Sequence, residues 1–436
     1  MTGRLGSAGR SKGPVAAGAR VVLDLRPLQE PGRAPTTATY LRELLGAYAA
    51  DPLAGETFAI ILQAGLPDPV EEEALVDLPI VSRRALPPTS LLGAGSLTVD
   101  PFLLRSASVG TAWRSEREGA AGAVYHTAGG SVPLASSVPV VVTLLDLAPW
   151  ELPSVYQATV AARFGQRLRG RLLRDAAAVI VGSAATAGAV RRLLRVRRDR
   201  IRIVGLAARA AFRPEAAADA PAEAALLGIP GRYFVYPGRY DARQDVGTLL
   251  RALATLASGT GWARHAADSG DGSGGAPTDA SWPPRLVLVG ASPADRAALA
   301  RAAAREGVGE LLAYAPYASD ERLAALVAGA RAVVLPTLSD AAGLSAIEAT
   351  AAGVPVIASA VGALPEIAKG VGILVEPRDA ARLAAALSTD WSADAVHDRL
   401  VAAARARRIA APRTWRDVAR ETRAVYASVA KGVFGI

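Results

Sequence analysis

The stretch Val333–Pro377 decides the fold, and it reads VVLPTLSDAAGLSAIEATAAGVPVIASAVGALPEIAKGVGILVEP. It begins with a short apolar run typical of a buried parallel strand, passes through a proline-marked turn, and enters a helix near Leu344. Gly343 stands where that helix begins, and glycine lets a ligand approach the backbone closely. The unpaired amides of Leu344 and Ser345 would point at such a ligand. Because helix starts at the carboxyl ends of parallel strands bind phosphate readily, this stretch predicts a phosphate site.

Two carboxylates flank the predicted turn. Glu348 lies one turn into the helix and faces the same crevice, and Asp340 precedes it with seven residues between them. A carboxylate in either place can accept hydrogen bonds from neighbouring sugar hydroxyls. A turn glycine followed by a solvated helix carboxylate is the plainer alternative. The order Asp-x7-Glu, Gly-Val-Pro-Val-Ile, Leu-Pro-Glu-Ile and Leu-Val-Glu-Pro favours the functional interpretation.

Short apolar runs alternate with helical patterns on both sides of this stretch. Such alternation predicts βαβ units and parallel sheets. An Ala/Pro/Asp/Glu-rich break at 213–228 predicts a linker between two doubly wound, Rossmann-like α/β domains, 20–212 and 229–412, which face each other across a cleft. Strands are predicted near 20–25, 58–62, 123–126, 138–145, 178–182, 200–204, 233–236, 285–289, 311–314, 332–335, 355–358 and 372–375.

Two segments lie outside the alternation. Residues 1–19 are basic and rich in Gly, Ser and Ala, without an apolar segment, so we expect a disordered tail and not a secretory signal. Residues 258–284 are mainly Gly, Ser, Asp and Pro and predict a flexible surface insertion.

Composition excludes several classes of protein. With 51% hydrophobic residues the chain is not mainly disordered, and no apolar run is long enough for a membrane-spanning helix. The absence of cysteine excludes disulfides, thiolate metal sites and cysteine nucleophiles, and three scattered histidines argue against a zinc site. Of the net charge of +9, residues 1–212 carry +8 (25 Lys and Arg against 17 Asp and Glu). The basic surplus therefore belongs to the first half of the chain.

Three more stretches extend the pattern: Tyr236-Pro-Gly-Arg-Tyr-Asp-Ala-Arg-Gln-Asp, Tyr314-Ala-Pro-Tyr-Ala-Ser-Asp-Glu-Arg-Leu and Thr414-Trp-Arg-Asp-Val-Ala-Arg-Glu-Thr. With Val333–Pro377 they resemble the retaining, group 1 glycosyltransferases of the GT-B fold, particularly family 4. The resemblance covers nearly the whole chain. It implies that residues 413–436 form a helix that packs back on the first domain.

The resemblance also assigns donor-binding roles. Arg239 would clamp the diphosphate of a nucleotide-sugar, and Gly238 would allow its approach. Arg243 would take the place of the family's phosphate-binding lysine. The backbone amides after Gly343 would bind phosphate as well, and Glu348 would hold the ribose hydroxyls.

For the reaction itself, the resemblance makes Asp340 the group that holds the transferred hexose, and it places Asp146 with Asp340 and Arg239 among the catalytic residues. Apart from the resemblance, His126 follows a predicted strand at a position that would face the cleft, where it could contact the acceptor, and a satisfied histidine at a strand end is the commoner alternative. Negative charge builds on the departing diphosphate, and an arginine with a helix N-terminus can stabilise it. We therefore expect a GDP- or UDP-sugar donor, a glycan or lipid-linked acceptor, and neither metal nor cofactor.

The chain departs from the family pattern at six places: Asp340 for Glu, Ala342 for an aromatic residue, Gln244 for Lys, Leu145 for His, Thr36–Thr39 for a glycine-rich loop, and Ala184 for an acidic residue. These departures favour an alternative, a catalytically inactive homologue that acts as a binding or scaffold subunit. GT-B epimerases are a third class, disfavoured because their carboxylate and histidine arrangement is not visible.

Arginines concentrate in the first half, at Arg163–Arg174 and Arg191–Arg202. The first group lies on an amphipathic helix, which suits an anionic membrane surface, although a solvated helix face is the more ordinary explanation. No stacking aromatics accompany the arginines, so nucleic acid is not an expected partner. We expect a cytoplasmic protein, and peripheral attachment to the inner face of the membrane stays open.

Overall fold

The computed structural model describes residues 18–72, 75, 77–105, 122–129, 131–229, 231–258, 282–317 and 319–430. Most of the tail predicted at 1–19 and of the insertion predicted at 258–284 lies outside these residues. Within them, no helix is both long and apolar enough to cross a membrane.

Two fully parallel sheets form the framework. The first contains seven strands in the order β3-β2-β1-β4-β5-β6-β7, and the second contains six in the order β10-β9-β8-β11-β12-β13. The predicted pair of doubly wound α/β domains is confirmed. The strands are β1 Arg20–Asp24, β2 Thr57–Gln63, β3 Ile80–Leu86, β4 Ala123–Ala128, β5 Val140–Thr143, β6 Ala178–Val181, β7 Ile201–Ile203, β8 Tyr233–Pro237, β9 Arg285–Val289, β10 Leu312–Ala315, β11 Ala332–Leu335, β12 Val356–Ser359 and β13 Gly372–Val375.

Helices connect these strands and cover the sheets. The α-helices of the described chain are α1 Arg26–Gln29, α2 Pro35–Ala50, α3 Pro69–Glu72, α4 Ser96–Leu104, α5 Ala148–Glu151, α6 Pro153–Tyr156, α7 Val160–Asp175, α8 Ala184–Leu194, α9 Ala220–Leu226, α10 Val246–Ala257, α11 Pro293–Glu306, α12 Asp320–Ala328, α13 Leu344–Ala351, α14 Leu364–Ala368, α15 Ala380–Ser392, α16 Asp394–Ala410 and α17 Trp415–Ala430.

The central strands are buried on both faces, which explains their continuous apolar runs. All five residues of β1 and all four of β11 are buried. Strand β3 was not predicted, because this edge strand is largely exposed or half-buried and carries Arg83 and Arg84. An edge strand has one neighbour, so it needs no continuous apolar run.

The last helix of the described chain, α17, packs on α2 and on β4 of the first sheet. The hydroxyl of Tyr48 in α2 donates to that of Tyr426 in α17, with both rings buried (3.1 Å). The predicted linker at 213–228 contains a 3₁₀ helix, Pro214–Ala218, and helix α9, so it is helical and not irregular.

Candidate active site

The turn between β11 and α13 is built as the sequence predicts. Gly343 is the N-cap of α13 and has φ +65°, in the left-handed region that favours glycine. A Cβ there would lie 2.1 Å from Cδ1 of Ile367, so any side chain at this position would require the end of Ile367 to move. The first amides of α13, those of Leu344 and Ser345, therefore follow a turn that favours glycine.

Asp340 caps this turn. Its Oδ1 accepts the backbone N–H groups of Gly343 (2.7 Å) and Ala342 (3.2 Å). Burial raises the pKa of Asp340, and the hydrogen bond from Gly343 opposes that rise. One carboxylate oxygen of Asp340 thus holds the turn.

The end of β8 supplies the predicted diphosphate clamp. Arg239 follows Gly238, its side chain is 34% exposed, and its Nε lies 3.3 Å from Oδ2 of Asp241. Its Nη1 also reaches the carbonyl oxygen of Arg33 on the first domain (3.5 Å). The guanidinium therefore lies at the junction of the two domains, where a ligand can reach it.

Arg243 and Asp146 meet across the same junction. Nη1 of Arg243 lies 2.8 Å from Oδ1 of Asp146, which follows β5. Both groups act on the charge of Asp340, Arg243 by attraction and Asp146 by repulsion. The structure thus brings together Asp340, Asp146 and Arg243, which the sequence separates widely.

The loop before α13 is docked on the first domain. The hydroxyl of Ser339 donates to Oε2 of Glu151 (2.5 Å), and that of Thr186 donates to the carbonyl oxygen of Ala341 (2.9 Å). Ala342 and Leu344 are buried in the apolar core of the first domain. The cleft is therefore closed beside the candidate site.

Glu348 is not exposed to the cleft. Its side chain is 5% exposed, and both carboxylate oxygens accept from Arg209, at 2.6 Å from Nε and 3.0 Å from Nη2. Burial raises the pKa of Glu348, and Arg209 opposes that rise. Glu348, the residue predicted to bind ribose, is thus already held in an ion pair that joins the two domains.

The prediction that His126 faces the cleft is wrong. His126 lies in the middle of β4, fully buried, with Nε2 bonded to Thr143 (2.8 Å) and Nδ1 to the Tyr426 hydroxyl (2.6 Å). Strand β4 runs two residues past the predicted end and packs under α17, so the histidine is covered from both sides. It is a core residue with no free nitrogen for an acceptor.

His126 predicts a pH dependence of stability. Burial lowers its pKa to about 3, whereas an unfolded chain binds the proton near pH 6.5. The neutral ring therefore stabilises the fold above pH 6.5, and this contribution is lost as the pH falls toward 3. We expect the free energy of unfolding, measured with urea, to fall by about 2 kcal/mol from pH 7 to pH 5 on this account. His126→Gln should remove this part of the pH dependence of the free energy of unfolding. If that free energy changes equally with pH in both proteins, His126 is not the group responsible.

Several groups at the site were not predicted. Arg209 lies in an alanine-rich segment, where its charge was the available signal. Its partners Tyr317 and Asp320 belong to the stretch that begins at Tyr314, but neither of them was predicted to have a role. Helix α2 also begins at Pro35, so residues 36–39 are helical where a glycine-rich loop was expected. Among the described residues, no three His, Asp or Glu side chains are grouped to hold a metal ion.

Comparison with known proteins agrees with this architecture. Residues 231–391 match the family model described as glycosyl transferases group 1. No curated protein sequence matches the chain.

Solved structures resemble nearly the whole chain. Sucrose-phosphate synthase from Thermosynechococcus elongatus is 21% identical with a TM-score of 0.65, covering 95% of this chain and 99% of its own. Anabaena Alr3699/HepE in complex with UDP is 17% identical with a TM-score of 0.60, and the match covers 94% of this chain and 100% of that one. WaaG, a glycosyltransferase involved in lipopolysaccharide biosynthesis, is 15% identical with a TM-score of 0.62, and the match covers 94% of this chain and 100% of that one. At these identities the likeness concerns the two-domain GT-B fold.

Proposed function

We propose that this chain, a glycosyltransferase whose group 1 domain spans residues 231–391, moves a hexose from a GDP- or UDP-sugar to a glycan or lipid-linked acceptor with retention of configuration. The observation that carries the proposal is the meeting of Arg243, Asp146 and Asp340 at the turn before α13, with Arg239 and Arg243 sharing Asp241 as a partner. Two guanidinium groups and a helix N-terminus suit a leaving diphosphate.

The charges at the junction also support transfer without a metal ion or a cofactor. As the anomeric C–O bond breaks, Arg239 and the amides of α13 would take up the charge that builds on the diphosphate. Asp340 would orient the hexose through Oδ2. Asp146 would hold Arg243 in place through their ion pair. Closure of the domains would exclude water and prevent hydrolysis of the donor.

Calorimetric titration with UDP and GDP, followed by transfer assays with their sugars, tests the proposal. We expect one nucleotide to bind and its sugar to be transferred or slowly hydrolysed, at equal rates with and without EDTA. Absence of binding and of turnover with every donor would contradict it.

Arg239→Gln tests the clamp. We expect kcat to fall about 10²- to 10³-fold, since one charge-stabilising group is lost from the transition state. Arg33→Gln is the matched control, because Arg33 lies beside Arg239 with its side chain 54% exposed and pairs with Glu30. A loss in the control as large as in Arg239→Gln would argue against a specific role for Arg239.

Catalytic inactivity is the second candidate. One observation favours it, because both oxygens of Glu348 are already bonded to Arg209. A chain that binds a nucleotide without turnover would be a sensor or scaffold subunit. Titration and transfer assays on the same preparation separate the two functions.

We also propose that α7 docks on an anionic membrane surface at the inner face of the membrane, where a lipid-linked acceptor would lie. Val160 and Phe164 are 74% and 57% exposed, and four exposed arginines share their helix. Phe102, 47% exposed, lies on α4, which packs against α7. Exposed apolar side chains flanked by cations are typical of interfacial helices.

Phe164→Ser should weaken cosedimentation with vesicles that contain phosphatidylglycerol about tenfold, because the inserted ring is worth roughly 1.5–3 kcal/mol when buried. Ile409→Ser is the matched control, since Ile409 is 78% exposed on α16 of the other domain. Binding that is equal in both variants, or absent in the wild type, would refute docking through α7.

A further inference from the structure

Arg209 holds the carboxylate that the proposed function reserves for ribose. We infer that Arg209 is a positioning residue that competes with the donor ribose for Glu348, so that a nucleotide must displace it to bind fully. The inference rests on the proposed function, because it takes Glu348 as the ribose ligand. We call Arg209, Glu348, Asp320 and Tyr317 the Arg209 cluster.

The contact between Arg209 and Glu348 covers the carboxylate that a diol would have to reach. Nε and Nη2 of Arg209 bind the two carboxylate oxygens side by side, at 2.6 and 3.0 Å. The backbone of Arg209 adds another hydrogen bond to the same carboxylate. A ribose diol would also need an acceptor for each hydroxyl. Since 5% of the Glu348 side chain is exposed, the guanidinium must move before both hydroxyls can bind.

The guanidinium has a second partner that it can keep. Nη1 of Arg209 donates to Oδ1 of Asp320 (2.5 Å) and to the Tyr317 hydroxyl (3.1 Å). Asp320 is 30% exposed and Tyr317 is 54% exposed, so both lie nearer to solvent than Glu348. Arg209 can therefore leave Glu348 while it remains paired with Asp320. Its charge is never left buried alone, which is the costly outcome for a buried ion pair.

The cluster also links the domains. Arg209 lies in the segment after β7, the last strand of the first sheet, whereas Asp320 begins α12 and Glu348 lies in α13. The guanidinium carbon is 4.7 Å from the centroid of the Phe212 ring, which fixes the side chain from one face. Release of Glu348 would thus loosen a contact between the two domains at the moment when the donor enters.

Arg209→Lys tests the inference, because an ammonium group cannot bridge both oxygens as a guanidinium does. We would measure calorimetric affinities for UDP, GDP and inorganic pyrophosphate, which has no ribose. The variant should bind the preferred nucleotide about tenfold more tightly, since the apparent affinity scales with the fraction of free Glu348. Its affinity for pyrophosphate should stay unchanged.

Arg331→Lys is the matched control. Arg331 is also 8% exposed and bonded to acidic partners, Asp390 and Asp394, at the opposite end of β11. This control should lose stability without any change in the affinity ratio of nucleotide to pyrophosphate. Should Arg209→Lys fail to fold, Asp320→Asn serves instead: it removes the second partner of Arg209, and we expect weaker nucleotide binding with unchanged pyrophosphate binding.

The outcomes separate the inference from the proposed function. Tighter nucleotide binding by Arg209→Lys, including binding where the wild type shows none, supports the competition. A wild type that binds UDP or GDP and an Arg209→Lys variant that binds it no more tightly would overturn the competition and leave the proposed function intact. If neither protein binds UDP, GDP or pyrophosphate, the proposed donor site is overturned, and the competition with it.

Discussion

Gly362→Ala will destabilise the second domain by about 2–4 kcal/mol and displace Asp340. Gly362 has φ +55°, and a Cβ there would lie 1.9 Å from the carbonyl oxygen of Asp340 and 2.6 Å from its carbonyl carbon. Because these are backbone atoms, no side-chain rotation relieves the overlap. The same carbonyl accepts the N–H of Ala363 (2.8 Å), so the turn that carries Asp340 must shift.

Urea unfolding and transfer rates measure both effects of Gly362→Ala. Gly370→Ala is the matched control: it has φ +77° with no atom within 4 Å of the added Cβ, so only the backbone conformation should cost free energy, about 1 kcal/mol. If the two variants lose equal stability and equal activity, the overlap with Asp340 has no consequence.

Glu348→Gln will be the second severe change. It removes one of the two carboxylates that pair with the buried Arg209 and leaves the other, that of Asp320. Breaking a buried ion pair costs about 3–5 kcal/mol of stability. Because Asp320 still pairs with Arg209, we expect a loss near the lower end of that range. Nucleotide binding should also weaken, because an amide offers one acceptor oxygen to the ribose where the carboxylate offers two.

Glu321→Gln is the control for Glu348→Gln, since Glu321 is an exposed glutamate on α12 next to Asp320. Thermal unfolding and nucleotide titration would be compared between the two variants. A Glu348→Gln protein as stable as the Glu321→Gln protein would mean that the pair with Arg209 contributes little.

Much of the fold was predictable because it depends on local patterns. All six strands of the second sheet were predicted within one or two residues, since each is a short apolar run between turn residues. The edge strand β3 was missed, because an exposed edge carries polar side chains and gives no such run. Residues 36–39 are helical where the family pattern has a glycine-rich loop, because α2 begins at Pro35 and proline suits the first position of a helix.

The candidate site was predictable only in part. Gly343 and Asp340 lie three residues apart, and their turn forms from nearby chain. The predicted roles of Asp340, Arg239, Asp146 and the donor-binding residues stay predictions. His126 was misplaced because a histidine near a strand end has the same sequence pattern whether it faces a cleft or a helix from the other end of the chain.

The sequence by itself determined the two parallel sheets, the glycine turn before α13 and the basic bias of the first half, because these follow from the order of neighbouring residues. Only the tertiary structure decided which charges meet. Arg209 and Glu348 are 139 positions apart, and Arg243 reaches Asp146 from the other domain. Coulomb attraction depends on distance in space and on burial, and neither is written in the spacing of residues along the chain.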